Sequence, residues 1–165
     1  ALMELSHAAL RPTRGAALAL VRIDLARGAL TFCGTGNISA VAYGAGRPAQ
    51  RRPADSRAPA GHTQQAASAG APSARECYQL VSRNGIVGHT MRGAQEFELT
   101  WSENALLVLH SDGIGTRWDL AAWPGLANQP AVVIAAVLYR DFARGRDDAT
   151  VVVVRARPGV QLSHE

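Results

Sequence analysis

Two acidic positions could carry chemistry because of where they fall. Asp112 ends the run Ala105-Leu-Leu-Val-Leu-His-Ser-Asp112 and is followed by Gly113, while Asp147 and Asp148 stand just before the apolar run 151–154. Carboxylates at the ends of rigid strands are well held, and hard divalent ions such as Mg2+ or Mn2+ take oxygen ligands. The glycine after Asp112 lets the backbone turn sharply and come close to a ligand. The same spacing also has a plain structural reading, because an Asp beside Gly at a strand end commonly forms a turn. Spacing alone favours the turn.

Other constellations carry less. His110-Ser111-Asp112 holds the residue types of a hydrolytic triad, but neighbours along a strand point to opposite faces, so the three cannot form one by themselves. His7, His62, His89, His110 and His164 are scattered without the spacing of a zinc-binding helix. His89, in the loop after Ile86-Val-Gly88, either borders a substrate groove or is a solvated loop residue. Gly34-Thr-Gly36-Asn37 lacks the lysine and the glycine spacing of a phosphate-cradling loop and reads as a tight bend in a sheet. Trp101, Trp118 and Trp123 read as core or rim packing, and Arg140, Arg144 and Arg146 as a solvated helix face or a contact for a phosphoprotein.

Strands and a few helices must position these groups. Leu2, Leu5, Ala9 and Leu10 form an apolar stripe of helical spacing that Pro12 terminates. Two extended runs, 15–23 and 29–33, flank the turn Asp24-Leu-Ala-Arg-Gly28 and predict a hairpin, with 38–43 continuing the sheet. Strands are predicted at 77–81, before the turn Asn84-Gly85, and at 96–100, where alternation suggests an exposed strand. The continuous apolar run 105–109 predicts a strand buried on both faces. Pro130 opens an almost wholly apolar helix that Gly145 closes, and 151–154 is the clearest strand. Mostly strands with grouped helices predict an α+β sandwich.

The 165 residues suit one domain with a real core. The net charge is +4, of which +3 falls in 44–76, a stretch with no Val, Ile, Leu, Met, Phe, Trp or Tyr. Such a stretch cannot bury enough apolar surface to offset the entropy of ordering it and is expected to be a disordered insert. Outside it no basic face suggests nucleic acid. No run approaches the ~20 apolar residues that span a bilayer, and no secretory leader is legible, so a soluble, cytoplasmic protein is expected. Cys33 and Cys77 are expected to be buried free thiols in predicted strands.

Four motifs in order carry a resemblance: Thr13-Arg-Gly-Ala-Ala-Leu-Ala-Leu20, Gly36-Asn-Ile-Ser39, Leu106-Leu-Val-Leu-His-Ser-Asp-Gly113 and Asp147-Asp-Ala-Thr-Val-Val-Val153. Over nearly all the chain apart from 44–76, the sequence resembles the metal-dependent (PPM-type) protein serine/threonine phosphatases. It is most similar to their SpoIIE-like branch and, through Asn84-Gly-Ile-Val-Gly-His-Thr90 and Ser111-Asp-Gly-Ile-Gly-Thr-Arg-Trp118, to its RsbX-like group. The resemblance implies two stacked antiparallel sheets flanked by helices, in α-β-β-α layers. It implies Asp112 and Asp147 as ligands of two divalent cations, Mn2+ or Mg2+, with Gly113, Asp148, Asn37 and His89 as further site-lining positions. It also implies dephosphorylation of a phosphorylated STAS-domain regulator (RsbS/RsbR-like) in a stressosome or partner-switching cascade. An inactive phosphatase-like interaction module in such a pathway is the alternative. One departure stands out: the family's earlier Asp-Gly-x-Gly-His-Gly-like turn has no counterpart here. The only aspartates before Asp112 are Asp24 and Asp55, so an N-terminally incomplete domain, poor in metal affinity on its own, is expected.

Overall fold

Period-two alternation in the strands, with both faces apolar, calls for cover on both sides of each sheet. A computed structural model, which describes residues 2–46, 48–51, 77–145 and 147–156, shows how that demand is met. The elements run α1 (Leu2–Leu10), β1 (Leu18–Asp24), β2 (Ala29–Thr35), β3 (Ser39–Tyr43), β4 (Ala49–Arg51), β5 (Cys77–Val81), β6 (Glu96–Thr100), β7 (Leu106–His110), α2 (Ala131–Phe142) and β8 (Val151–Arg155). Two short 3-10 turns, Leu120–Ala122 and Leu126–Asn128, precede α2. The strands form two four-stranded sheets, ordered β1-β2-β6-β4 and β5-β3-β7-β8. Every strand pairing is antiparallel.

Alternate residues of each strand go to different cores. Leu30 and Phe32 of β2, Ala40 and Ala42 of β3, Phe97 and Leu99 of β6 and Leu107 of β7 fill the space between the sheets. The intervening residues face outward. Cys33 meets Met3 of α1 and Val87 on one side, and Leu106 and Val108 meet Ile134 and Leu138 of α2 on the other. The layers are therefore α1, first sheet, second sheet, α2, as the resemblance implied. β7 serves both cores, which explains its unbroken apolar sequence. Each fully buried Leu or Phe contributes roughly 1.5–3 kcal/mol.

Several expectations need correction. The segment 34–37 is no bend within one sheet. Gly34 and Thr35 finish β2, and the chain then crosses to the second sheet to begin β3. Gly36 makes this passage with φ of 105° and approaches so closely that a Cβ on it would lie 2.5 Å from that of Ala17. β6 is no exposed strand, since it lies between β2 and β4 with Phe97 and Leu99 buried. Cys33 is buried, but Cys77 is exposed on the edge strand β5, and both are free thiols. Of the insert expected over 44–76, Ala45 is buried and Ala49–Arg51 pairs with β6, while 52–76 lie outside the described residues. Arg146 lies outside them too. The tryptophans agree with the core or rim packing expected of them: Trp101 is buried between the sheets, and the half-buried Trp118 and Trp123 pack against the core beneath α2.

Candidate metal-binding carboxylate site

Antiparallel pairing of β7 with β8 sets His110 opposite Val151. The loop leaving β7 and the loop entering β8 therefore emerge at the same end of the second sheet. Ser111 fastens them together. Its amide donates to Thr150 O (3.1 Å), its hydroxyl donates to Asp148 O (3.1 Å), and the same oxygen accepts from the amide of Thr150 (3.0 Å). Gly113 closes the contact: a Cβ there would lie 2.3 Å from Asp148 O and 2.9 Å from Ala149 Cα. On its other side Gly113 O accepts from Arg144 N (2.9 Å), and Ile114 bridges Ala143 just beyond α2. Asp112 thus sits on a turn wedged between the end of α2 and the 147–150 segment that carries Asp147.

The third contributor is the crossover between sheets. β3 pairs with β7, with Ser39 opposite His110, so Asn37 arrives at the same sheet end. Its amide donates to Asp112 Oδ2 at 2.5 Å. Asp147 is anchored through one oxygen as well, Oδ1 accepting from the amide of Asp148 (2.9 Å). Each carboxylate is exposed and, among the described residues, its second oxygen has no protein partner and neither forms an ion pair. The two exposed carboxylates stand on adjoining loops at one end of the second sheet, hard oxygen donors of the kind a divalent cation takes.

Asn37, Gly113 and Asp148 therefore join Asp112 and Asp147, although Asp148 contributes its backbone while its side chain stays exposed. His89 does not join them. It is exposed, its Nε2 lies 2.9 Å from Thr13 O and its ring packs against Gly15. His110 is buried, edge-on to Trp118 at 5.6 Å, with Nδ1 against Ser111 O. It supports the loop and has no open path to a substrate. Ser111 was legible only as a failed triad member. Its actual part, bridging two strand ends, follows from a Ser hydroxyl's habit of bonding nearby backbone in loops.

Whether these residues fit a divalent ion can be judged from the donors. Two carboxylates and a nearby amide are hard oxygen chemistry of the kind that holds Mg2+ or Mn2+ with waters completing the shell. Among the described residues, however, no group of three or more His, Cys, Asp or Glu is gathered anywhere. The donors fit one weakly held ion; they do not by themselves fit a pair.

Beside Asn37 lies a cleft of about 500 Å3 lined by Arg14, Gly15, Ala16, Ala17, Gly36, Asn84, Gly85 and Ile86 as well. Asn37 belongs to both features, on the cleft wall and on Asp112.

Comparison with known proteins places this architecture. No protein-family model and no curated protein matches the sequence. Solved structures do match. A chain from the bacterial stressosome, described as a modular system adapted to control secondary messenger signaling, is 25% identical with a TM-score of 0.67, covering 93% of this chain and 66% of that one. RsbX in complex with magnesium is 14% identical with a TM-score of 0.59, covering 92% of this chain and 60% of that one. The phosphatase domain of the cell fate determinant SpoIIE from Bacillus subtilis, presoaked with manganese, is 19% identical with a TM-score of 0.54, covering 95% and 65%. The chain thus has the fold of the PPM-type phosphatase domains, and it spans about 60–66% of the length of these structures.

Proposed function

We propose that this chain forms the larger part of a metal-dependent protein serine/threonine phosphatase of the SpoIIE-like branch, of the RsbX-like kind. The observation that carries the proposal is the pairing of Asp112 and Asp147 at one sheet end, each tied to the protein through one oxygen and presenting the other. Asp112 and Asp147 would hold the cation. Mn2+ or Mg2+ bound there would supply Lewis-acid stabilisation of phosphoryl oxygens and acidify a bound water.

The chain's own residues do the positioning. Asn37 fixes the plane of the Asp112 carboxylate by donating to Oδ2, so that Oδ1 keeps a constant direction. Ser111 and Gly113 hold the two acidic loops in register, and rigid strands on one side with α2 on the other resist their separation. Preorganisation of this kind counts because misplacing a ligand by an ångström is costly in rate. In this reading a second divalent ion needs a further carboxylate, supplied by an Asp-Gly-x-Gly-His-Gly-like turn outside these 165 residues. Resemblance to RsbX, and a neighbour from the stressosome, support a phosphorylated STAS-domain regulator of a cytoplasmic partner-switching cascade as substrate.

The second reading is a phosphatase-like module that docks a signalling partner without chemistry. It is favoured by the lack of a three-residue ligand cluster among the described residues. Release of inorganic phosphate from a phosphoserine peptide separates the two. The enzyme reading expects release that requires Mn2+ or Mg2+ and stops with EDTA. Release unaffected by either ion or chelator overturns the metal-dependent reading, and no release from the protein carrying the complete domain decides for the module.

A further inference from the structure

The cleft beside the carboxylate site has a chemistry of its own. Its floor is made of Gly15, Ala16, Ala17, Gly36 and Gly85, whose backbone a bound chain can approach closely. Two of these positions require glycine: a Cβ on Gly36 would strike Ala17, and one on Gly85 would lie 2.9 Å from Thr90 O. Arg14 is the one charged residue of the lining. Its guanidinium is exposed and, among the described residues, has no hydrogen-bond or ion-pair partner. The Asn84 side chain is likewise unengaged there. A volume of about 500 Å3 is of the size that holds several residues of a ligand, well beyond a single phosphate group.

Asn37 lines the cleft and also donates to Asp112, so the cleft adjoins the carboxylate site, and Arg14 lies in its lining. We infer that this cleft binds the segment flanking the phosphorylated residue of a protein substrate and that Arg14 selects an acidic side chain within it. The inference rests on the phosphatase reading for its ligand and adds a specificity determinant to it. A guanidinium pairs a carboxylate through two parallel N–H donors, which gives geometric as well as charge selectivity.

The test measures binding of fluorescent phosphoserine peptides that differ only in carrying Glu, Gln or Lys, placed at each flanking position in turn. The same peptides with unmodified serine form a second set. At one flank the Glu peptide is expected to bind roughly tenfold more tightly than the Gln peptide, as a charge-assisted Arg–carboxylate contact allows. That order should persist without the phosphate. Arg14→Gln should abolish it, and Arg14→Glu should invert it so that the Lys peptide binds best. The side chain is exposed, so neither substitution threatens the fold. Equal binding of the three peptides, no binding by any, or an order unchanged in Arg14→Glu overturns the inference. So does a loss in Arg14→Glu confined to phosphorylated peptides irrespective of flank, since that would place the phosphate itself on Arg14. If the flank preference holds while the protein carrying the complete domain releases phosphate from no peptide, the phosphatase reading falls and the cleft stands. If phosphate is released with no flank preference, the cleft falls alone.

Discussion

In the protein carrying the complete domain, Asp112→Asn is expected to reduce Mn2+-dependent phosphate release by at least ~100-fold while leaving the protein folded. Loss of a group that merely orients a metal ligand typically costs 10–100-fold in metal affinity or activity, so loss of a ligand should reach the upper end or pass it. The substitution is nearly isosteric. The amide oxygen of an asparagine can still accept from Asn37, which now bonds Asp112 Oδ2 at 2.5 Å, so the turn keeps its shape. Only the charge is lost. Asp112 is exposed and has no ion-pair partner among the described residues, so thermal stability without metal should hold. The readouts are phosphate release and the melting temperature. Wild-type activity in the variant would remove Asp112 from the site. A lowered melting temperature would instead make it a structural turn former, as its spacing in the sequence also allows.

The second large effect concerns Gly113. Its φ is not in the left-handed region, so the requirement for glycine is purely steric. An added Cβ meets Asp148 O at 2.3 Å, Asp148 C at 2.8 Å and Ala149 Cα at 2.9 Å, all of them backbone. Retreat in the other direction is blocked by the Arg144 N–Gly113 O bond and the Gly115 N–Phe142 O bond (2.8 Å). Gly113→Ala should therefore force the loops of Asp112 and Asp147 apart. Overpacking of this kind costs about 1–3 kcal/mol. In a domain of this size each kcal/mol lowers the melting temperature by roughly 2–4 °C. Activity should fall further than stability, since the spreading falls on the two carboxylates. Gly115→Ala is the control from the same loop: its nearest neighbour, Phe142 O, would lie 3.6 Å from the new Cβ, an ordinary contact. Equal behaviour of the two variants would mean that the wedge at Gly113 does not set the site.

Much of this arrangement was readable from the sequence, for identifiable reasons. Leu106–His110 is apolar at successive positions because it faces two cores, and that pattern marks a doubly buried strand without any other information. Asp112 could be placed at its end because a glycine follows. α1 and α2 were legible from helical spacing and the prolines that bound them. The passage of the chain from one sheet to the other at 34–37 was not legible. Gly34 and Thr35 complete β2 even though the glycines there read as a bend, and only pairing of β3 with β7 reveals the change of sheet. The same is true of the contact between Asn37 and Asp112, 75 residues apart. Nothing local to Asn37 signals its partner, and only the resemblance placed it at the site. Cys77 read as buried because strand cysteines usually are, yet β5 lies at an edge, and edge position is a property of topology. His89 is exposed, as a solvated loop histidine would be, and its contact with Thr13 O and Gly15 could not be read from the loop around it. The cleft at Arg14 arises from three separated segments meeting and the clamp of Ser111 from two, which no single stretch encodes.

The central claim is that Asp112 and Asp147 grip one and the same cation. Titration of free Mn2+ by its electron paramagnetic resonance signal, with wild type, Asp112→Asn, Asp147→Asn and the double variant, tests it most directly. For a shared ion, each single substitution should remove most of the affinity and the second should remove little more. Losses that simply add, as for two separate sites, or wild-type binding in either single variant, would contradict it.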